Sequence, residues 1–348
     1  MNRYSFYAYI YIEIIFREIG LNMNMEMVSC KHEIKQITVP TPFAVGDVHT
    51  YVIIGERVTL VDAGVKTNEA WDVFTKELKK HGLHTRDIDQ IFITHHHPDH
   101  VGLVDFFPNN VPIIGHKRSQ PWMIQDKKYI QTHEDFYLQI LQEGGVDARF
   151  FPMINRVNDI LKFSSTIGLT SFIEEGETLV GLENWKVYET PGHASSHLVL
   201  FEEESGTLIG GDLILDHISP NPLIEPPYEG EAERKKPLLD YIDSIHKMME
   251  LSIQQVLPGH GSIVTNVQEH LQDRLTKQEK RSNKVYLYLE KQRSSTAYEV
   301  CRYLFPQVFE KQLMLTMSET IGQLDYLENK GKIKVDRSNL PFQYEVLE

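Results

Sequence analysis

The chain has 348 residues, of which 41% are hydrophobic and 24% charged, and carries a formal net charge of −14 at pH 7. That length allows about two domains and a sizeable core, and the composition is ordinary for a globular protein in water. The acidic balance disfavours a broad phosphate-gripping surface, because polyanions are repelled in most orientations.

Two cysteines, Cys30 and Cys301, lie at opposite ends of the chain. Two distant thiols without a disulfide framework point to a reducing, cytoplasmic setting. Tyr4 to Phe16 is aromatic and apolar. Glu13 interrupts it, no small-residue cleavage site follows, and it is too short for a membrane-spanning helix. Met23, Met25 and Met27 precede the first strand-like segment, so residues 1–29 are expected to be a dispensable extension. A peripheral amphipathic anchor is the rival reading. From Ile34 the pattern predicts three strands, Ile34–Val39, Thr50–Ile54 and Val58–Val61, closed by Asp62-Ala63-Gly64. Thr67 caps a helix to about Lys80, with Trp71, Phe74 and Leu78 on one face.

Ile91-Phe92-Ile93-Thr94 then reads as a short buried strand running into His95-His96-His97-Pro98-Asp99-His100. In extended chain, residues two apart share a face, so His95 and His97 point together and His96 points away. Pro98 turns the chain and brings Asp99 and His100 back toward the same place, where a helix begins that runs past Leu103. Converging neutral imidazoles and a carboxylate are metal ligands by type. An adventitious histidine tract would not sit mid-chain behind a buried strand with Pro and Asp interleaved.

Val111–Ile114 is a further strand. Residues 120–172 break the rhythm: Trp122, Met123, Tyr129, Phe136, Tyr137 and Leu141 recur at helical spacing, and Phe150, Phe151, Met153 and Ile154 follow. This segment is expected to be a helical insertion packed on the sheet edge, with a lid over the site as the functional alternative. Strands return at Trp185–Glu189, Leu198–Phe201, Thr207–Ile209 and, after a helix at Leu238–Leu251, at Ile253–Leu257. Three of these apolar runs close in glycine-bearing loops that present His193, Asp212 and His260, which is how ligands distant in sequence collect at one rim of a sheet. His49, His116, His197 and His217 have no motif behind them and read as ordinary. Helices over Val267–Lys291, Thr296–Leu304 and Met314–Asn329, then a hairpin, give the outline of a winged helix. Its third helix carries Glu319, Asp325 and Glu328, which favours a structural or dimerising appendix over a base reader.

The pattern His95-x-His97-x-Asp99-His100, followed in order by Pro191-Gly192-His193, Gly211-Asp212 and Gly259-His260, resembles the metallo-β-lactamase-fold hydrolase superfamily. The resemblance implies an αββα sandwich over residues 30–266 with two metals at one edge, and a small winged-helix-like domain over 267–348. It implies that His95, His97 and His193 hold one metal and that Asp99, His100 and His260 hold the other. Asp212 would bridge them, and Asp62 would orient a ligand histidine. Zinc is the first expectation, with iron or manganese as alternatives. A bridging hydroxide would attack a carbonyl or phosphoryl centre, with Asp99 and Asp212 as the catalytic carboxylates.

No cysteine stands at a ligand position and no secretion signal is evident, so an antibiotic-destroying lactamase is not expected. His97 stands where oxygen-reducing diiron relatives have a glutamate, which points to hydrolysis. Leu103 follows Gly102 where many glyoxalase-like members have a second glycine, and no basic carboxy-terminal cluster is present to grip glutathione. The carboxy-terminal outline resembles the lactamase-B2-like branch, some of whose members cut single-stranded RNA. Two activities follow as expectations. The first is hydrolysis of a small ester, thioester or lactone, with no membrane span and a homodimer left open. The alternative is a metal-dependent endoribonuclease on single-stranded RNA.

Overall fold

The structure, a computed structural model, describes residues 32–347, so the extension expected over residues 1–29 lies outside it. Among the described residues, β1 (Glu33–Val39), β2 (Val48–Ile54), β3 (Val58–Val61), β4 (Gln90–Ile93), β5 (Ile113–Gly115) and β6 (Ser171–Phe172) form one sheet in sequence order. The first three pair antiparallel and β3 to β6 run parallel. A second sheet, in the order β11-β10-β9-β8-β7, comprises β7 (Thr178–Leu179), β8 (Leu182–Glu189), β9 (Leu198–Glu202), β10 (Thr207–Gly211) and β11 (Gln255–Pro258). The two-residue strands β6 and β7 are too short to leave a pattern in the sequence.

Period-two alternation sets the layers. On β4, Ile91 and Ile93 join the core beneath helix α1 (Asn68–Lys80), while Phe92 faces the second sheet. On β2, Val48 and Val52 face the helix side, and Tyr51 and Ile53 the other sheet. Both faces of each sheet are covered, so the strands read as nearly continuous apolar runs. Thr67 caps α1 by accepting from Ala70 N at 3.1 Å, and Ala70, Phe74 and Leu78 form its buried stripe.

The helix expected from Asp99 past Leu103 is instead a single α-helical turn, α2 (Pro98–Val101), followed by a 3₁₀ turn at Gly102–Phe106. Gly102 N shares its bond to Pro98 O with Gly64 O at 2.7 Å, and Leu103 N, which would continue the α-helix, donates instead to Ala63 O at 2.8 Å. This approach needs a glycine. A Cβ at position 102 would overlap Lys66 N and stand 2.6 Å from Phe163 O, both of them backbone. Gly102→Ala is therefore expected to lower the unfolding free energy by about 3 kcal/mol, the upper part of the overpacking range, read as a fall in the denaturant midpoint.

The insertion contributes α3 (Gln120–Met123), α4 (Lys127–Glu143) and α5 (Val157–Leu161). Met123 enters the core of the first sheet. The main stripe does not lie on the sheet edge as expected: Tyr137, Ile140, Leu141 and Ile154 pack with the carboxy-terminal helices. The outer face of the second sheet is covered by α6 (Pro237–Met249) and the start of α7 (Val267–Gln292), through Tyr241, Ile245, Met248, Val267 and Leu271. The described residues thus form a mixed α/β sandwich with helix, sheet, sheet and helix layers.

After α7 come α8 (Ala297–Leu304), α9 (Leu313–Asn329) and the hairpin β12 (Ile333–Asp336) and β13 (Gln343–Val346). Leu313, Met317, Ile321, Leu324 and Leu327 of α9 join the same core as α4. The opposite side of α9 meets α6, where a Cβ on Gly322 would lie 3.1 Å from Leu238 Cβ. Its acids are paired, Glu319 with Arg281 at 2.6 Å and Asp325 with Arg234 at 2.7 Å. A helix whose sides are packed and whose buried charges are matched is an internal strut. Cys301, on α8, is buried in this core.

Candidate metal centre

Strands β3, β4, β8, β10 and β11 all end at one rim of the sandwich, because β3 and β4 are parallel, as are β10 and β11, and β8 is antiparallel to β9, which is antiparallel to β10. Backbone bonds lock the two sheets together there. Leu198 N donates to Thr94 O at 2.8 Å and His49 N to Gly259 O at 2.7 Å, while within the second sheet Gly259 N donates to Gly211 O at 2.7 Å. Loops leaving this rim carry His95, His97, Asp99, His100, His193, Asp212 and His260, and the structure brings all seven together.

Three trios have ligand atoms within 4.8 Å of one another: His95, His97 and His193; His95, His100 and Asp212; and Asp99, His100 and His260. His97 Nδ1 stands 3.0 Å from His95 Nε2 and 2.9 Å from His193 Nε2. Asp212 lies between the groups. Its Oδ2 is 3.5 Å from His193 Nε2 and 3.6 Å from His260 Nε2, and its Oδ1 is 3.5 Å from His100 Nε2. Asp99 Oδ2 is 3.3 Å from His260 Nε2.

The outer partners fix which nitrogen of each ring carries a proton. A carbonyl can only accept, so His260 Nδ1 donates to Asp47 O at 2.7 Å and His193 Nδ1 to Asn221 O at 3.2 Å. His100 Nδ1 meets Asp62 Oδ2 at 2.7 Å. Thr94 Oγ1 donates to the same Asp62 oxygen at 2.8 Å, which leaves it to accept from His95 Nδ1 at 3.0 Å. Each of these four rings therefore has its Nδ1 engaged outward and turns Nε2 toward the centre, the nitrogen a cation would take. Asp62 holds this arrangement at a φ of +59°, an uncommon conformation for a residue with a Cβ. Its carboxylate offsets that strain by accepting also from Thr94 N at 2.8 Å.

The electrostatics favour cations. Burial holds His95 well below its usual range, His97 at about 4 and His193 at about 3, so these rings are neutral at pH 7. Burial pushes the Asp99 and Asp212 carboxyls up, but His100 and His260 outweigh it and hold both below the usual carboxylate range. Burial opposes charge on His100 as well. Asp212 and Asp62 on either side prevail and hold it well above its usual range. A cation set against Asp212 would take the place of that proton.

The donor set fits such a group. His100 Nε2, Asp212 Oδ1 and His260 Nε2 are buried without a hydrogen-bond partner, a costly arrangement unless something else meets them. Gly259 leaves room beside them: a Cβ there would overlap Asp212 Oδ1 and lie 2.8 Å from His100 Cε1.

His96 turns out of the cluster. Its Nδ1 meets Ser196 Oγ at 2.8 Å, and its ring stacks on Trp122 at 5.0 Å with a 3° interplanar angle. Of the four histidines read as ordinary, two belong to the scaffold of the site. His197 Nε2 accepts from Asp212 N at 3.0 Å, and its Nδ1 meets Thr190 Oγ1 at 2.8 Å. His49 Nε2 donates to Gly261 O at 2.8 Å, behind the loop of His260. His116 caps a turn by accepting from Arg118 N at 3.2 Å, and His217 is exposed beside Asp216. Glu225, which no motif marks, accepts from Ser195 N at 2.8 Å and from Ser195 Oγ at 2.7 Å, two residues beyond His193. Only the closeness of Ser195 and His197 to His193 in sequence could have suggested this shell.

The family model for the metallo-beta-lactamase superfamily matches residues 44–260. The probable metallo-hydrolase YqjP of Bacillus subtilis is 43% identical over 297 residues, covering 85% of this chain and 92% of that protein. The beta-lactamase-like protein 2 homolog of Drosophila melanogaster is 24% identical over 307 residues, 86% of this chain and 88% of that one. Among solved structures, the metallo-beta-lactamase family protein TTHA1429 from Thermus thermophilus superposes with a TM-score of 0.77 at 24% identity, covering 90% of this chain and 98% of that chain.

Proposed function

The chain belongs to the metallo-beta-lactamase superfamily, and from that premise we propose that it is a two-metal hydrolase of small esters, thioesters or lactones. The observation that carries this reading is the set of buried, unpartnered atoms, His100 Nε2, Asp212 Oδ1 and His260 Nε2, on residues that belong to the trios of converging ligand atoms. His95, His97 and His193 would hold one cation, Asp99, His100 and His260 the other, and Asp212 touches both groups. Bound divalent cations, zinc first among them, supply Lewis acidity and a water that ionises near neutral pH. The chain does the rest. Asp62, Asn221 and Asp47 hold the rings in one tautomer, and His197 fixes the backbone of Asp212. Asp99 and Asp212 keep the negative charge that binds the cations and can receive a proton released by water.

The substrate class rests on two features. Helix α9, which a reader of bases would present, is enclosed between α4, α8 and α6. The chain as a whole is acidic. We read residues 267–348 accordingly as a winged-helix-like structural module joined to a catalytic domain over residues 30–266. Among the described residues no helix is long and apolar enough to cross a membrane.

The purified chain is expected to hydrolyse at least one member of a panel of thioesters, aryl esters and lactones. Activity should disappear after dialysis against a chelator and return on adding a divalent metal. A fluorescent single-stranded RNA in the same buffer should remain intact. RNA cleavage that follows the metal in the same way, with no turnover of the panel, would replace this substrate class with a nuclease.

A further inference from the structure

The segment joining β10 to α6, residues 212–236, has no strand or helix of its own beyond Asp212, yet one of its carbonyls stands behind a ligand of the proposed centre. His193 Nδ1 donates to Asn221 O at 3.2 Å, and Leu223 N returns a bond to His193 O at 3.4 Å. The place of that carbonyl decides where His193 Nε2 points. What holds it belongs to α9, about a hundred residues later in the chain. The Ser318 hydroxyl donates to Pro222 O at 2.8 Å and accepts from Ile224 N at 2.8 Å, clasping the backbone on the far side of Asn221. Asn221 Nδ2 donates to Leu315 O at 3.0 Å. Further along, Arg234 meets both oxygens of Asp325, at 2.7 and 2.8 Å. From the insertion, Tyr137 Oη donates to Ile224 O at 2.6 Å.

We propose that Ser318 is a positioning residue for His193: through the Pro222–Ile224 backbone it sets the Asn221 carbonyl that orients the imidazole, so the carboxy-terminal module completes the metal centre. Ser318 is 1% exposed, and both of its bonds are buried. Its loss would leave Pro222 O and Ile224 N without a partner, and the loop would shift to find new ones. The effect should be selective. His260 is oriented by Asp47 and His100 by Asp62, neither of which is hydrogen-bonded to residues 213–236, so the Asp99, His100 and His260 trio keeps its geometry.

This inference rests on the metal reading, and one experiment separates the two. Metal-free full-length chain is titrated with zinc against a chromogenic competitor, and with cobalt to read the ligand-field spectrum. The wild type should take up two equivalents. Ser318→Ala should bind one equivalent about tenfold more weakly, at the low end of the loss caused by removing an outer partner, with an altered cobalt band. The second equivalent should keep its wild-type affinity. Asn221→Ala removes the tether to Leu315 but keeps the carbonyl, and should shift the same equivalent in the same direction. It decides the matter if Ser318→Ala does not fold. Ser282→Ala is the control: this serine is equally buried in the module, bonded to Gln278 O and Gln323 Oε1, and should shift neither equivalent. Unchanged affinities in a folded Ser318→Ala, or equal weakening of both equivalents, would overturn the role of Ser318 while a wild-type stoichiometry of two stands. A wild-type chain that takes up no metal would overturn the centre itself.

Discussion

His97→Ala is expected to lose most of the metal that the purified wild-type chain would bind, while His96→Ala is expected to retain it at the wild-type level. The two imidazoles are neighbours in sequence and both are buried or nearly so, but they meet different surroundings. His97 Nδ1 sits within 3.0 Å of His95 Nε2 and His193 Nε2, so its loss opens one corner of a three-nitrogen cluster. Affinity at that position should fall by more than the roughly 10- to 100-fold that removal of an outer partner costs. His96 is bonded to Ser196 and stacked on Trp122. Truncating it leaves a cavity and an unpaired hydroxyl, which should cost about 2–3 kcal/mol of stability. The pair forms a crossed experiment read by elemental analysis and thermal denaturation: one variant loses metal, the other loses melting temperature. Equal metal loss in both would show that the two faces of this turn are not divided in the way the contacts indicate.

Asp212→Ala is expected to abolish turnover, with kcat/KM on the best substrate of the panel falling by about 10³-fold or more, equivalent to about 4 kcal/mol of transition-state stabilisation. This carboxylate lies 3.5–3.6 Å from His193, His260 and His100, and so touches both proposed metal positions. Its removal withdraws a buried negative charge where the bare nitrogens converge. The main chain at this point is held independently, by His197 and by the bond from Gly259 N to Gly211 O, so the variant should fold. Circular dichroism at wild-type amplitude, beside lost activity and reduced metal content, is the expected combination. Activity within tenfold of wild type would remove Asp212 from the centre.

The sandwich was legible because each sheet is buried on both faces, which produces apolar runs such as Ile91-Phe92-Ile93 and Leu198-Val199-Leu200-Phe201 bounded by polar residues. The convergence of His95, His193, Asp212 and His260 could be anticipated because each follows such a run. Local pattern failed where long-range packing decides. The stripe of α4 is amphipathic whatever covers it, so periodicity could not distinguish a sheet edge from the carboxy-terminal helices that pack there. The 3₁₀ turn after α2 arises from amides bonded to Ala63 and Gly64, a contact invisible to spacing. His197, Glu225 and Asn221 lie in irregular segments, where an isolated polar residue carries no period and its partner is fixed only by the finished fold.

The bond from His260 Nδ1 to Asp47 O spans 213 positions of the chain. A polypeptide emerging from the ribosome therefore exposes its four clustered imidazoles long before the residue that completes the set has been synthesised. Closing so long a loop carries an entropic cost and slows assembly. Only a chain translated through Gly259 can form the bond from His49 N to Gly259 O that knits the two sheets at this rim.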